Sequence, residues 1–132
     1  MRIFIYGTLK EGFCGHKHIV PYIESEVVKP LGPFKLYGFE LRVGIAPFLV
    51  RHSDMTKIVI GELYDFYDAQ LVRELDEGES WSYRREMVDD NIWSYVAKPG
   101  IYLQNSELVG SVYTKDLDNF VLELNQSWLT NG

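Results

Sequence analysis

Three short stretches of this 132-residue chain combine residue types whose spacing can do chemistry. The first is Tyr6-Gly7-Thr8-Leu9-Lys10-Glu11-Gly12, where an apolar run meets a glycine and a second glycine follows five residues on. Such a turn can aim successive backbone N–H groups into one concavity, a nest for a carboxylate or an oxyanion. Gly7 would let the backbone approach a ligand with no Cβ in the way. An ordinary strand-end turn has the same spacing, and the stretch is neither a phosphate loop nor a dinucleotide fingerprint. The second stretch is Leu75-Asp76-Glu77-Gly78-Glu79-Ser80-Trp81-Ser82-Tyr83-Arg84-Arg85, with three acids within four positions. At a helix C-terminus the dipole does not stabilise negative charge. Burial there raises the proton affinity of a carboxyl. Glu79, if desolvated by Trp81 and Tyr83, can act as base and then as acid near neutral pH. A solvated acidic turn is the alternative. The third stretch, Cys14-Gly15-His16-Lys17-His18, has the residue types of a metal site or a Cys–His nucleophile pair. No second cluster supplies further ligands, so we expect neither a metal nor a cofactor. His52-Ser53-Asp54 holds triad residue types in one loop, but triads are assembled from distant segments.

The elements that must position these residues follow from periodicity and breakers. Alternation dominates and predicts a mainly β protein. Arg2 to Tyr6 reads as a strand, Gly7 to Gly15 as a loop, and His16 to Ile23 as a short helix or turn limited by Pro21. Ser25 to Tyr37 reads as two strand-like pieces broken by Pro30 and Pro33. Phe39 to Val43 fits either type. Phe48 to Arg51 reads as a short edge-like segment, and Thr56 to Phe66 as the clearest strand. Asp68 to Glu77 is the best helix, with Asp68 as N-cap, Leu71 and Leu75 on one stripe, and Gly78 as terminator. Ser82 to Val88 and Ile92 to Ala97 flank Asp89-Asp90-Asn91, a hairpin signal. Leu117, Phe120, Val121, Leu124 and Trp128 suit a terminal helix packed on the sheet. These elements define an α+β class with a curved antiparallel or mixed sheet and short flanking helices.

Composition bounds the rest. At this length one domain, residues 1–132, is expected. Hydrophobic residues at 46% and charged residues at 24% exclude disorder. No apolar run approaches the roughly 20 residues that span a bilayer. The run after Met1 is too short for a secretory signal, so a cytoplasmic location is expected. The net charge of −6 argues against nucleic-acid and anionic-membrane partners. The lone Cys14 allows no internal disulfide. Nine tyrosines suit the wall of a small-molecule pocket, or equally a β-rich core with half-exposed rings.

In combination the segments resemble the γ-glutamylcyclotransferase family, with its AIG2-like and γ-glutamylamine cyclotransferase branches. Tyr6-Gly7-Thr8-Leu9 with Gly12 resembles the opening YG(T/S)L…G signature. Ile45-Ala46-Pro47-Phe48-Leu49-Val50 resembles the internal proline-containing strand, and Gly61-Glu62-Leu63-Tyr64 a Gly-Glu-Leu-Tyr strand. Leu75-Asp76-x-x-Glu79-x-x-x-Tyr83-x-Arg85 resembles an LDxxE…YxR segment. Order and spacing agree from residue 1 to about 97. The family often has glycine directly after its catalytic glutamate, whereas here Ser80 follows Glu79 and Gly78 precedes it. A shifted alignment would give the role to Glu77, but spacing to Leu75-Asp76 and Tyr83-Arg85 favours Glu79. The resemblance implies a small barrel-like mixed sheet with one cavity and a γ-glutamyl substrate. It also implies ring closure to 5-oxoproline without a cofactor. Glu79 would be the acid/base. Tyr6, Gly7, Thr8, Leu9 and Tyr83 would contact substrate. Arg85 would be a counter-charge, or a solvent-facing strand arginine. A binding or interaction module that keeps the fold without turnover is the alternative. The leaving amine and the oligomeric state are left open.

Overall fold

A computed structural model describes residues 1–99 and 106–131, the last six as helical backbone alone. Among the described residues eight strands form one mixed sheet, β1 (Arg2–Ile5), β2 (Val28–Tyr37), β3 (Phe39–Val43), β4 (Pro47–Arg51), β5 (Ile58–Phe66), β6 (Tyr83–Asp89), β7 (Ile92–Ala97) and β8 (Glu107–Leu108). The described helices are α1 (Val20–Glu24), α2 (Ala69–Glu79) and α3 (Lys115–Asn131), with a 3-10 turn at His16–His18. The sheet order is β2-β5-β1-β7-β4-β3-β8, with β6 on the other edge of β7, and it curls into a half-barrel. No helix among the described residues is long and apolar enough to cross a membrane.

β1 is the hinge of this architecture. Ile3 and Ile5 pack on one face with Ile19, Val28, Phe66, Leu71 and Val72, beneath α1 and α2. Phe4 and Tyr6 pack on the other face with Leu36, Leu41, Leu49, Val59, Val96 and Tyr113, inside the half-barrel. A strand covered on both faces reads as a continuous apolar run, as Ile3-Phe4-Ile5-Tyr6 does.

Four local expectations are corrected by tertiary context. Pro30 and Pro33 do not split the chain: β2 is a single strand at the sheet edge, antiparallel to β5, with a register shift between Pro30 and Gly32. An edge strand and a bulge are the places where a missing N–H is tolerated. β4 is interior, lying between β7 and β3. Pro21 sits in the first turn of α1, where its missing N–H costs nothing, and opens that helix instead of limiting it. Gly78 does not end α2, which continues to Glu79 and is capped by Ser80, whose hydroxyl donates to the Glu77 carbonyl at 2.8 Å. The Asp68 cap is as expected, its carboxylate accepting from the amides of Gln70 and Leu71. Asn91 turns the β6–β7 hairpin with φ 53°. The Trp128 side chain lies outside the described residues.

Candidate active site

The cavity sits where the sheet forks. β1 pairs in parallel with β7 only at Arg2↔Ile92 and Ile3↔Trp93. Further along β7 its partner is β4, through Leu49↔Val96. β1 therefore peels away after Ile3 and β4 takes its place. Side chains satisfy the backbone groups that the fork would orphan. Ser94 donates its hydroxyl to the Phe4 carbonyl at 2.7 Å. Tyr6 donates to the Tyr95 carbonyl at 2.7 Å and accepts from the Leu49 amide at 3.2 Å. Beyond the fork lies a cavity of about 250 Å³. Its size suits a ligand smaller than a drug molecule.

All six site residues singled out from the sequence line this one cavity: Tyr6, Gly7, Thr8, Leu9, Glu79 and Tyr83. Glu79 is the last residue of α2 and is half-buried. Among the described residues its carboxyl has neither a hydrogen-bond partner nor an ion-pair cation. Burial pushes its pKa above the ordinary carboxylate value. Glu77, the competing acid, is exposed on the same helix. Trp81 does not contribute to the desolvation, being 74% exposed. The apolar surround comes from three tyrosines that share the cavity, Tyr6, Tyr83 and Tyr95. Burial, with Glu79 adding to it, raises the pKa of all three, so each stays a neutral phenol. Tyr83 stacks on Phe48 and donates to the Pro47 carbonyl at 2.5 Å. Tyr6 and Tyr83 thus present rings to the cavity while backbone carbonyls hold their hydroxyls.

In the loop after β1 the carbonyls of Gly7, Thr8 and Leu9 accept hydrogen bonds, while the amides of Thr8 and Leu9 find no acceptor among the described residues. The Gly7 carbonyl accepts from Lys10 N, the Thr8 carbonyl from Gly15 N, and the Leu9 carbonyl from His16 Nδ1, at 3.1, 2.8 and 2.8 Å. The N–H groups of Thr8 and Leu9 donate to no described residue, and both residues line the cavity. Gly12 supplies the left-handed turn, φ 85°. Gly7 serves a different purpose from the one expected: a Cβ there would lie 2.6 Å from Pro47 Cγ. The space is taken by the proline that closes the wall.

The remaining motifs resolve mainly into framework, although Cys14 also lines the cavity. Cys14 donates its thiol to Asp118 Oδ1 at 3.1 Å, and its amide to Oδ2 at 2.9 Å. Burial and the neighbouring Asp118 push the Cys14 thiol up to about 11. Asp118, only 3% exposed, also accepts from the Tyr113 hydroxyl, so α3 clasps the loop. Among the described residues no group of three His, Cys, Asp or Glu side chains is placed to hold a metal. His52 Nδ1 accepts from the Asp54 amide, a local turn. Arg85 neither faces bulk solvent nor lines the Glu79 cavity. It forms a two-pronged ion pair with Asp76, Nε to Oδ1 at 2.9 Å and a terminal nitrogen to Oδ2 at 3.1 Å. Tyr95 donates its hydroxyl to Asp76 Oδ1 at 2.8 Å.

Sequence reasoning expected the 39–46 loop and the tail to help form the pocket but singled out no residue of the far wall: Ile45, Ala46 and Pro47 from the β3–β4 turn, and Val121, Leu122 and Asn125 from α3. Asn125 joins the two, its side-chain amide donating to the carbonyls of Ile45 and Val121 at 3.2 and 2.9 Å. The signal that could have found them was Val121-Leu122 beside Asn125 on a helix already expected to pack on the sheet.

The half-barrel and its single-acid cavity define a class, and comparison places the chain in it. The profile of the family described as gamma-glutamyl cyclotransferase, AIG2-like, matches residues 3–118, and the chain belongs to that family. It is 32% identical over 88 residues to a Methanocaldococcus jannaschii protein provisionally named a γ-glutamylcyclotransferase, covering 65% of this chain and 68% of that one. The solution structure of the Escherichia coli protein ytfP is similar at 27% identity and TM-score 0.62, over 89% of this chain and 99% of that one. An AIG2-like protein of Mus musculus shares the fold at 21% identity and TM-score 0.58, over 86% and 87% of the two chains.

Proposed function

We propose that the chain is a cofactor-independent γ-glutamyl cyclotransferase that forms 5-oxoproline from a small γ-glutamyl amine or amide, with Glu79 as acid/base. One observation supports this reading above the others. A half-buried carboxyl with no partner among the described residues shares a small cavity with Thr8 and Leu9, whose amides donate to no described residue. Ring closure needs no nucleophile from the protein, because the substrate's α-amine attacks its own γ-carbonyl. Holding that substrate curled supplies up to about 7–11 kcal/mol in favourable cases.

The ionised Glu79 takes a proton from the α-ammonium. The freed amine forms the new C–N bond, and negative charge gathers on the γ-carbonyl oxygen. Glu79 returns its proton to the departing nitrogen, and the original C–N bond breaks. The ring nitrogen sheds its remaining extra proton to the leaving amine through the same carboxylate. The products are 5-oxoproline and an ammonium, and Glu79 ends as it began. A raised pKa serves both directions of transfer, since base and acid strengths are then closer to balance near neutral pH. The Thr8 and Leu9 amides take the oxyanion or the α-carboxylate. The tyrosines stay protonated and do not compete for the transferred proton.

The reading is tested by incubating the purified protein with a panel of γ-glutamyl amides and γ-glutamyl amino acids. Release of 5-oxoproline from at least one member is expected. A folded protein that releases none from the whole panel contradicts it.

A further inference from the structure

The residues lining the cavity fall into two chemical groups, and the second bears on the substrate. One group is Glu79, Thr8 and Leu9, whose amides donate to no described residue, and the tyrosine rings. The other is the apolar wall of Ile45, Ala46, Pro47, Val121 and Leu122. Ile45 and Leu122 stay 40% and 42% exposed, so they form an apolar lip at the opening. The lip is held in place: Asn125 ties α3 to the turn through the Ile45 carbonyl. Its side-chain nitrogen is thereby occupied by two carbonyls, which leaves the amide oxygen, an acceptor, as its remaining polar group. No lysine, arginine or histidine is among the described lining residues. The charge that the cavity does hold, on Glu79, is negative, and the chain carries −6 overall.

Resting on the cyclotransferase reading above, we infer that the leaving amine is an apolar one without a carboxylate, seated against Ile45 and Leu122. With the glutamyl part at the Thr8–Leu9 amides and Glu79, the departing group points to the apolar wall. An alkyl chain there removes the lip from water. A carboxylate in the same place would be desolvated against apolar side chains and repelled by Glu79, with only the acceptor oxygen of Asn125 beside it. The discrimination is therefore built from repulsion as much as from fit.

Three substrates of one skeleton test this: γ-glutamyl-n-butylamide, γ-glutamyl-norvaline, which adds one carboxylate, and γ-glutamyl-norvalinamide, which keeps that bulk without the charge. Release of 5-oxoproline is followed for each. The expected order in kcat/KM is butylamide, then norvalinamide, then norvaline, with at least about tenfold between the first and the last. The Ile45→Arg protein, altered at a half-exposed position, is expected to narrow that gap by raising turnover of norvaline. Equal or faster turnover of norvaline by the natural chain overturns the inference and leaves the cyclotransferase reading intact. An Ile45→Arg protein with an unchanged ratio removes the leaving group from this wall and overturns the inference as well. Failure to release 5-oxoproline from all three overturns the inference, while the cyclotransferase reading falls only if the whole panel of γ-glutamyl compounds also fails.

Discussion

α2 ends with two acids one turn apart, Asp76 and Glu79, and the protein surrounds them in opposite ways. Asp76 meets the forked guanidinium of Arg85 and the hydroxyl of Tyr95, so both its oxygens are used. Glu79, three residues on, reaches a cavity walled by phenol rings, with no partner among the described residues. The difference is not in sequence neighbourhood, since both belong to one acidic run. It arises from which strand faces each turn: β6 and β7 bring a cation and a donor to the first, while the fork between β1 and β4 brings an opening to the second. A satisfied carboxylate holds structure, and an unsatisfied one in a shielded site is available for proton transfer.

That contrast can be broken from either side. The largest effect belongs to Glu79→Gln, which keeps the shape and removes the proton carrier. We expect 5-oxoproline formation to fall by about 10²–10⁴-fold with the circular dichroism spectrum unchanged. Retained rate would move the acid/base role elsewhere. Asp76→Asn should act chiefly on the fold. Loss of the charge from a partly buried bidentate pair is expected to lower the unfolding free energy by about 1–3 kcal/mol in urea denaturation. By loosening the last turn of α2 it should also lower kcat, by at most about a hundredfold. If Asp76→Asn leaves stability untouched, the clamp is not holding the helix end. The smallest effect has the opposite sign. A carboxyl whose pKa is raised by folding destabilises the folded state once it ionises, so its removal is neutral in acid and stabilising above its folded pKa. Glu79→Gln should therefore melt a few °C higher than the natural chain near pH 7, and the gain should vanish near pH 4. A lower melting temperature at neutral pH would mean that Glu79 is satisfied after all.

How much of this was legible depends on the range of the information needed. The Asp68 cap, the Leu71 stripe and the Asn91 turn are decided within a few residues, and the sequence reading of each agrees with the structure. Pro30, Pro33 and Phe48–Arg51 were misread because their meaning depends on sheet neighbours. A proline-bearing strand at an edge and a short strand in the interior look alike locally. Gly78 illustrates the same limit, since a glycine ends a helix only if the next turn lacks a cap, and Ser80 provides one. For the site, the glycine turn and the acid spacing pointed to the two halves that one cavity joins. Ile45, Val121, Leu122 and Asn125 were not singled out, because the wall they form exists only when the β3–β4 turn meets a helix residue 80 positions later.

The most direct test of the central claim is a carbon-13 NMR titration of the Glu79 carboxyl, assigned by its absence in Glu79→Gln. It is to be compared with the acid limb of the pH profile of kcat/KM. The account predicts a midpoint above the ordinary glutamate value of about 4.3, with catalysis failing at that same raised pH as the base becomes protonated. A midpoint at or below that value, or an acid limb that does not coincide with it, would contradict a shielded Glu79 as the proton carrier.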